Sequence, residues 1–138
     1  MILYLDTSAL VKAVSDEQGT EDAQRMWFSA DAKFRSRVTY AEARAALARA
    51  HRSGRSNPSE HAVACRELEI HWEEVETVEV TDDLVRFAGD LADRRALRGY
   101  DAVHLASALT LGDEVLMATW DRELSDAASE EGLPTLTI

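Results

Sequence analysis

The chain opens on a short apolar run, I-L-Y-L over residues 2–5, which is too short for a helix and reads as a buried strand. Asp6, Thr7 and Ser8 follow, three good helix caps ahead of A-L-V-K-A-V, so a short helix is predicted there. Residues 15–20 (S-D-E-Q-G-T) have no periodicity and read as a loop. Over 21–31, Ala23, Met26, Trp27 and Ala30 recur at helical spacing. A short strand is predicted near 35–38, then a helix from Thr39 to about Arg52. S-G-R-S-N-P breaks the chain, and a long helix follows from about Ser59 to Trp72. Residues 75–80 (V-E-T-V-E-V) alternate with period two, the mark of a strand with one wet face. Thr81 to Leu97 reads as a helix capped by Thr81 or Asp82, and Arg98-Gly99-Tyr100 as a turn. Asp101 to Leu111 is a further helix, 114–119 (E-V-L-M-A-T) a buried strand, Asp121 to about Glu131 a helix, and 135–137 a last edge strand.

Strands alternating with helices predict an α/β domain, with a central parallel sheet and helices on both faces. The 138 residues suit a single domain spanning 1–138, with no internal repeat and no low-complexity segment.

Composition narrows the class. Apolar residues make up 46% of the chain, enough for a sizeable core, and no run approaches a membrane span. The apolar opening breaks at Asp6, too soon for a signal peptide, and the lone Cys65 excludes an internal disulfide. A soluble cytoplasmic protein with no membrane association is expected. The net charge is −11, opposite in sign to a non-specific nucleic-acid binder. The arginines are uneven, however: Arg35, Arg37, Arg44, Arg49, Arg52 and Arg55 fall in one stretch with Glu42 the only acid, and Arg94, Arg95 and Arg98 form a smaller group. They make either a basic patch or solvated helix faces.

The acids carry the candidate chemistry. In open α/β sheets, sites form beyond the carboxyl ends of the strands. Asp6 directly follows the first strand, and Asp121 follows the fourth after one residue, Trp120. Glu42 lies in the first turn of a helix, and Asp101 begins another. Each has a plain alternative. Asp6, Asp101 and Asp121 can cap their helices at about 1 kcal/mol each, and T-Y-A-E matches a capping box. Four acids at four helix starts suggest more than caps, because a cap needs no charge. Clustered carboxylates without a counter-ion repel, and a divalent cation removes the conflict. Oxygen-only donors suit Mg²⁺ or Mn²⁺. Such an ion supplies the equipment of phosphodiester hydrolysis. His104, one turn after Asp101, reads as a supporting or packing residue rather than a ligand, while Thr7, Ser8 and Thr119 are neutral oxygen donors nearby. The Trp27-Phe28 pair reads as core, with a docking surface as the alternative. No P-loop or G-x-G-x-x-G competes, and Ser8 stands where an aspartyl-phosphate phosphatase would carry its second acid.

Four segments together, L-D-T-S-A-L at 5–10, S-R-V-T-Y-A-E at 36–42, Y-D-A-V-H-L-A-S-A at 100–108 and T-W-D-R-E-L at 119–124, resemble the signature segments of the PIN domain. More narrowly, the chain resembles the VapC toxins of toxin–antitoxin pairs. The resemblance implies a Mg²⁺- or Mn²⁺-dependent endoribonuclease, commonly a homodimer, restrained by a VapB-type antitoxin and acting on RNA such as tRNA or rRNA. It implies that Asp6, Glu42, Asp101 and Asp121 are the acidic quartet that holds the metal and directs a metal-activated water, with Asp121 the most variable of the four. It further implies that Thr119 accompanies the last acid, and Thr7, as a neutral oxygen donor beside Asp6, is expected to support the site as well. Arg44, Arg94 and Arg98 are candidates for substrate phosphates. A housekeeping RNA-processing PIN domain and a non-catalytic metal- or partner-binding module remain as alternatives.

Overall fold

A computed structural model describes residues 1–15 and 20–136. Residues 16–19 of the expected loop, and the end of the expected last strand, lie outside the described residues. The elements are β1 (Ile2–Leu5), α1 (Thr7–Val14), α2 (Thr20–Ser29), β2 (Ala32–Ser36), α3 (Thr39–Arg52), α4 (Pro58–Glu73), β3 (Glu76–Val78), α5 (Asp82–Arg95), α6 (Gly99–Leu109), β4 (Val115–Ala118), α7 (Arg122–Glu130) and β5 (Thr135–Leu136).

All strand pairs are parallel, in the order β3-β2-β1-β4-β5. A parallel sheet is covered on both faces, which is why β1 and β4 read as continuous apolar runs. Leu3 and Leu5 point to one face, into a core with Leu10 of α1, Trp27 of α2, Leu47 of α3 and Leu68 of α4. Tyr4 points to the other, into a core with Leu91 of α5, Leu105 of α6 and Leu124 of α7. Thus α1–α4 cover one face and α5–α7 the other, as the alternating pattern predicts.

The chain builds outward from β1 through β2 to β3, then returns to β4 on the opposite flank of β1. The order reverses between β1 and β4, and a crevice opens beyond the carboxyl ends at such a switch point. Asp6 leaves β1 there, its N–H bonded to the Ala118 carbonyl at the end of β4 (3.3 Å).

Three boundaries depart from the sequence reading. β2 begins at Ala32, earlier than the strand expected near 35–38. Its charged Lys33 and Arg35 disguise it, yet Arg35 is buried, stacked 3.3 Å from the Trp72 ring centroid and donating to the Trp72 and Val75 carbonyls. Burial lowers the Arg35 pKa to about 10. β3 is shorter than 75–80, because only Phe34, Arg35 and Ser36 pair with it. Ala96 turns the chain with φ 53° and ψ 42°, so α6 starts at Gly99 and Asp101 falls inside its first turn rather than at its head. Of the Trp27-Phe28 pair, Trp27 is core at 2% exposure and Phe28 faces outward at 83%. Among the described residues no helix is long and apolar enough to cross a membrane.

Candidate active site

Asp6 is the side-chain cap of α1: Oδ1 accepts from the Ala9 N–H (2.9 Å) and from the Ser8 hydroxyl (2.7 Å). Its second oxygen, Oδ2, accepts from Thr119 at 2.5 Å. Thr119 Oγ1 also accepts the Asp121 N–H (3.0 Å), and Ser8 Oγ accepts the Trp120 N–H (2.8 Å). Each hydroxyl has one proton and spends it on Asp6, so both lock the end of β4 to the end of β1. Asp121 caps α7 through Oδ1 to the Leu124 N–H (3.1 Å). The cap reading is therefore right for Asp6 and Asp121, and incomplete for Asp6.

For Glu42 and Asp101 the cap reading fails. The residue ahead of α3 is Val38, with no side-chain cap, and Thr39 is already inside the helix. Glu42 instead accepts, on Oε1 alone, from Thr7 (2.8 Å) and from Nε2 of His104 (2.7 Å). The capping box does not form: the Thr39 hydroxyl is buried without a hydrogen-bond partner, and Glu42 is bonded to the imidazole instead. The residue ahead of α6 is Arg98, again with no side-chain cap. Arg98 reaches back to Asp101 (3.1 Å) and across to Asp121 (3.4 Å).

The four acids thus join through shared partners. Asp6 and Asp121 meet at Thr119, Asp121 and Asp101 meet at Arg98, and Glu42 is held by Thr7, beside Asp6, and by His104, one turn beyond Asp101. Their electrostatics differ. Burial pushes the Asp6 carboxyl up, against His104, Thr119 and Ser8. Burial and then the like charge of Asp121 push Asp101 up, against Arg98. Burial also pushes Glu42 up, but His104 and Thr7 outweigh it and the net shift is downward.

A groove of about 740 Å³ adjoins the acids, lined by Glu42, Asp101, Arg49, Arg98 and the exposed Tyr100. Of the arginines singled out from sequence, only Arg98 reaches the acids. Arg44 donates to the Tyr40 hydroxyl (2.9 Å). Arg94 pairs doubly with Glu131 (3.0 and 2.6 Å), which ends the helix that Asp121 begins. Arg49, one of the arginines of the 35–55 stretch expected to form a basic patch or a solvated helix face, lines the groove. Tyr4 escaped the sequence reading, because in an apolar strand its hydroxyl gives no signal.

As the side chains lie, the described residues contain no group of three histidine, cysteine, aspartate or glutamate side chains that could hold a metal ion. The donor chemistry nonetheless fits a hard divalent cation. It consists of carboxylate and hydroxyl oxygens, and the Arg98 guanidinium already stands as a shared positive charge between Asp101 and Asp121.

The architecture is a parallel α/β sheet with carboxylates at its switch point. The PIN domain family model matches residues 3–130. Ribonuclease VapC45 and Ribonuclease VapC49, from two strains of Mycobacterium tuberculosis, are each 45% identical over 132 residues, covering 95% of this chain and 92% of the relative. The chain belongs to the PIN-domain family, among the VapC proteins. Solved structures agree on the fold. PAE2754 from Pyrobaculum aerophilum superposes with a TM-score of 0.73 at 21% identity, covering 98% of this chain and 89% of that one. VapC20 from Mycobacterium tuberculosis, described as a sarcin-ricin loop cleaving toxin, gives 0.71 at 22%, covering 91% and 94%. VapBC-5 from the same organism, described as a member of the VapBC family of toxin-antitoxin systems, gives 0.68 at 21%, covering 99% and 98%.

Proposed function

We propose that this chain is a divalent-metal-dependent endoribonuclease that acts as the toxin of a toxin–antitoxin pair. The observation that carries the reading is the convergence of Asp6, Glu42, Asp101 and Asp121, from four helix starts, on the switch point between β1 and β4. The names of the VapC relatives support RNA as the substrate.

Asp6, Glu42, Asp101 and Asp121 would hold Mg²⁺ or Mn²⁺, which when bound supplies Lewis acidity toward a phosphoryl oxygen and lowers the pKa of water. The chain's own residues do the positioning. Ser8 and Thr119 fix both oxygens of Asp6, so that carboxylate cannot rotate. Burial of Asp6 and Asp101 raises the cost of leaving them charged and uncompensated, which favours binding of a cation. Arg98, its side chain 76% exposed, is available to a substrate phosphate once another cation takes over the acids. The acidic surface elsewhere opposes indiscriminate RNA binding, so the target is recognised by shape or by an exposed loop, in tRNA or rRNA.

A VapB-type antitoxin is the proposed partner, supported by the toxin–antitoxin complexes among the structural neighbours, and a homodimer is the proposed assembly. The exposed Phe28 and Ile70 are apolar side chains that such partners could cover.

The test is incubation of the purified chain with pooled tRNA and rRNA in Mn²⁺, Mg²⁺ or EDTA, beside Asp6→Asn and Asp101→Asn. Discrete cleavage that needs both metal and acids is expected. Cleavage that persists in EDTA, or in both variants, would sink the metal-dependent reading. Suppression of cleavage by the product of a neighbouring small open reading frame would separate a toxin from a housekeeping nuclease.

A further inference from the structure

Tyr4 is fully buried in β1, yet its hydroxyl is not idle: it lies 2.8 Å from Nδ1 of His104. The other ring nitrogen, Nε2, lies 2.7 Å from Oε1 of Glu42. A carboxylate oxygen can only accept, so Nε2 carries a proton whether the ring is neutral or charged. Thr7 aims its own proton at the same oxygen, at 2.8 Å. Both donors therefore converge on Oε1, and among the described residues Oε2 takes no hydrogen bond. The three groups come from β1, α6 and α3, and the line runs from the core to a carboxylate whose side chain is 27% exposed. A purely structural role would not need it. Two apolar rings would fill the same space without the cost of burying a phenol and an imidazole.

We infer that Tyr4 and His104 form a positioning pair that holds Glu42 by Oε1 and leaves Oε2 as the free donor for a divalent cation. This rests on the metal-dependent reading above. Neither residue touches substrate. Tyr4 fixes the ring, the ring fixes the carboxylate, and the site gains a preset oxygen rather than a freely rotating one. Alternation along β1 makes the arrangement possible, since it turns Tyr4 to the face of the sheet that α6, the helix of His104, covers.

The experiment is calorimetric titration of the full chain with Mn²⁺ alone, for wild type, Tyr4→Phe, His104→Ala and His104→Gln, with metal-free melting curves to confirm folding. His104→Ala is expected to bind Mn²⁺ about tenfold more weakly or worse, the usual loss when a partner of a ligating carboxylate is removed. His104→Gln should recover most of that loss, because its amide N–H can stand where Nε2–H stood. Tyr4→Phe, which keeps the ring's volume, should fall between wild type and His104→Ala. Ribonuclease activity of Tyr4→Phe should return at saturating Mn²⁺. If His104→Ala does not fold, Tyr4→Phe decides. Mn²⁺ affinity in Tyr4→Phe equal to wild type would overturn the positioning role while leaving the metal-dependent reading intact. A wild type that takes up no Mn²⁺ would overturn both.

Discussion

Glu42 and His104 stand 62 residues apart in the chain and 2.7 Å apart in the fold. Their bond turns the acid of an apparent capping box into a fixed member of a polar network. It also shows how the site divides its work. One oxygen of each of Asp6 and Asp121 caps its own helix and the other meets a residue from elsewhere, whereas Glu42 takes both of its partners, Thr7 and His104, from elsewhere on a single oxygen.

Asp101 is the acid whose charge the fold tolerates poorly. Burial and Asp121 raise its pKa, so the protein binds that proton more tightly when folded than when unfolded. The stability this contributes is present below the unfolded pKa and lost as pH rises through the folded pKa, so at neutral pH the charged form is a net cost. Asp101→Asn should therefore melt at the wild-type temperature or slightly above it at pH 7 without metal, while losing RNA cleavage by more than 100-fold. A drop of several degrees in the metal-free melt would assign Asp101 a structural role instead.

Arg98 is the counter-charge for Asp101 and Asp121 in the metal-free protein. Replacing it by glutamine leaves those carboxylates facing each other with nothing between. A divalent ion then relieves more repulsion than in wild type, and binding to the native state raises the melting temperature accordingly. Thermal melts with and without Mn²⁺ should show a larger metal-induced rise for Arg98→Gln than for wild type. An equal or smaller rise would mean that the guanidinium and the metal do not share a site.

Away from the site, Glu131 pairs with both Arg94 and Arg95 and ties the ends of α5 and α7. The hydrogen bond from Arg94 leads the causes that lower its pKa to about 2. A depressed carboxylate stabilises above its unfolded pKa, and that contribution fades as pH falls from about 4.5 toward about 2. Because Arg94 is half exposed, solvent screening holds the effect to about 1 kcal/mol or less. Glu131→Gln should be less stable than wild type in urea at pH 7, and the difference should shrink on titration to pH 3. A difference independent of pH would point to packing rather than charge.

Trp27 and Phe28 are neighbours with opposite fates. Trp27 lies in the core, its ring 4.5 Å from His71 and its N–H on Glu74 at 3.2 Å. Trp27→Ala should cost about 3–5 kcal/mol in denaturant unfolding, the range for a deleted core aromatic. Phe28→Ser should stay within about 0.5 kcal/mol of wild type, as exposed substitutions do. A large loss in Phe28→Ser for the isolated chain would show that a self-association surface had been removed, which light scattering would reveal as a change in mass.

The sequence by itself determined the element order, the parallel α/β architecture and which four acids stand at helix starts. These follow from short-range signals: apolar period, cap residues and the position of an acid just past a strand. It misjudged β2, because Lys33 and Arg35 look solvent-facing until Trp72 is seen lying over Arg35. Only the tertiary structure decided what the acids do with their oxygens. Thr119 reaches Asp6 across 113 residues, and Thr7 reaches Glu42 across 35. No local pattern encodes such contacts, since they exist only once β4 has paired beside β1 and α3 has packed against α1. The same holds for Tyr4, an unremarked strand residue until the packing of α6 brings His104 to its hydroxyl.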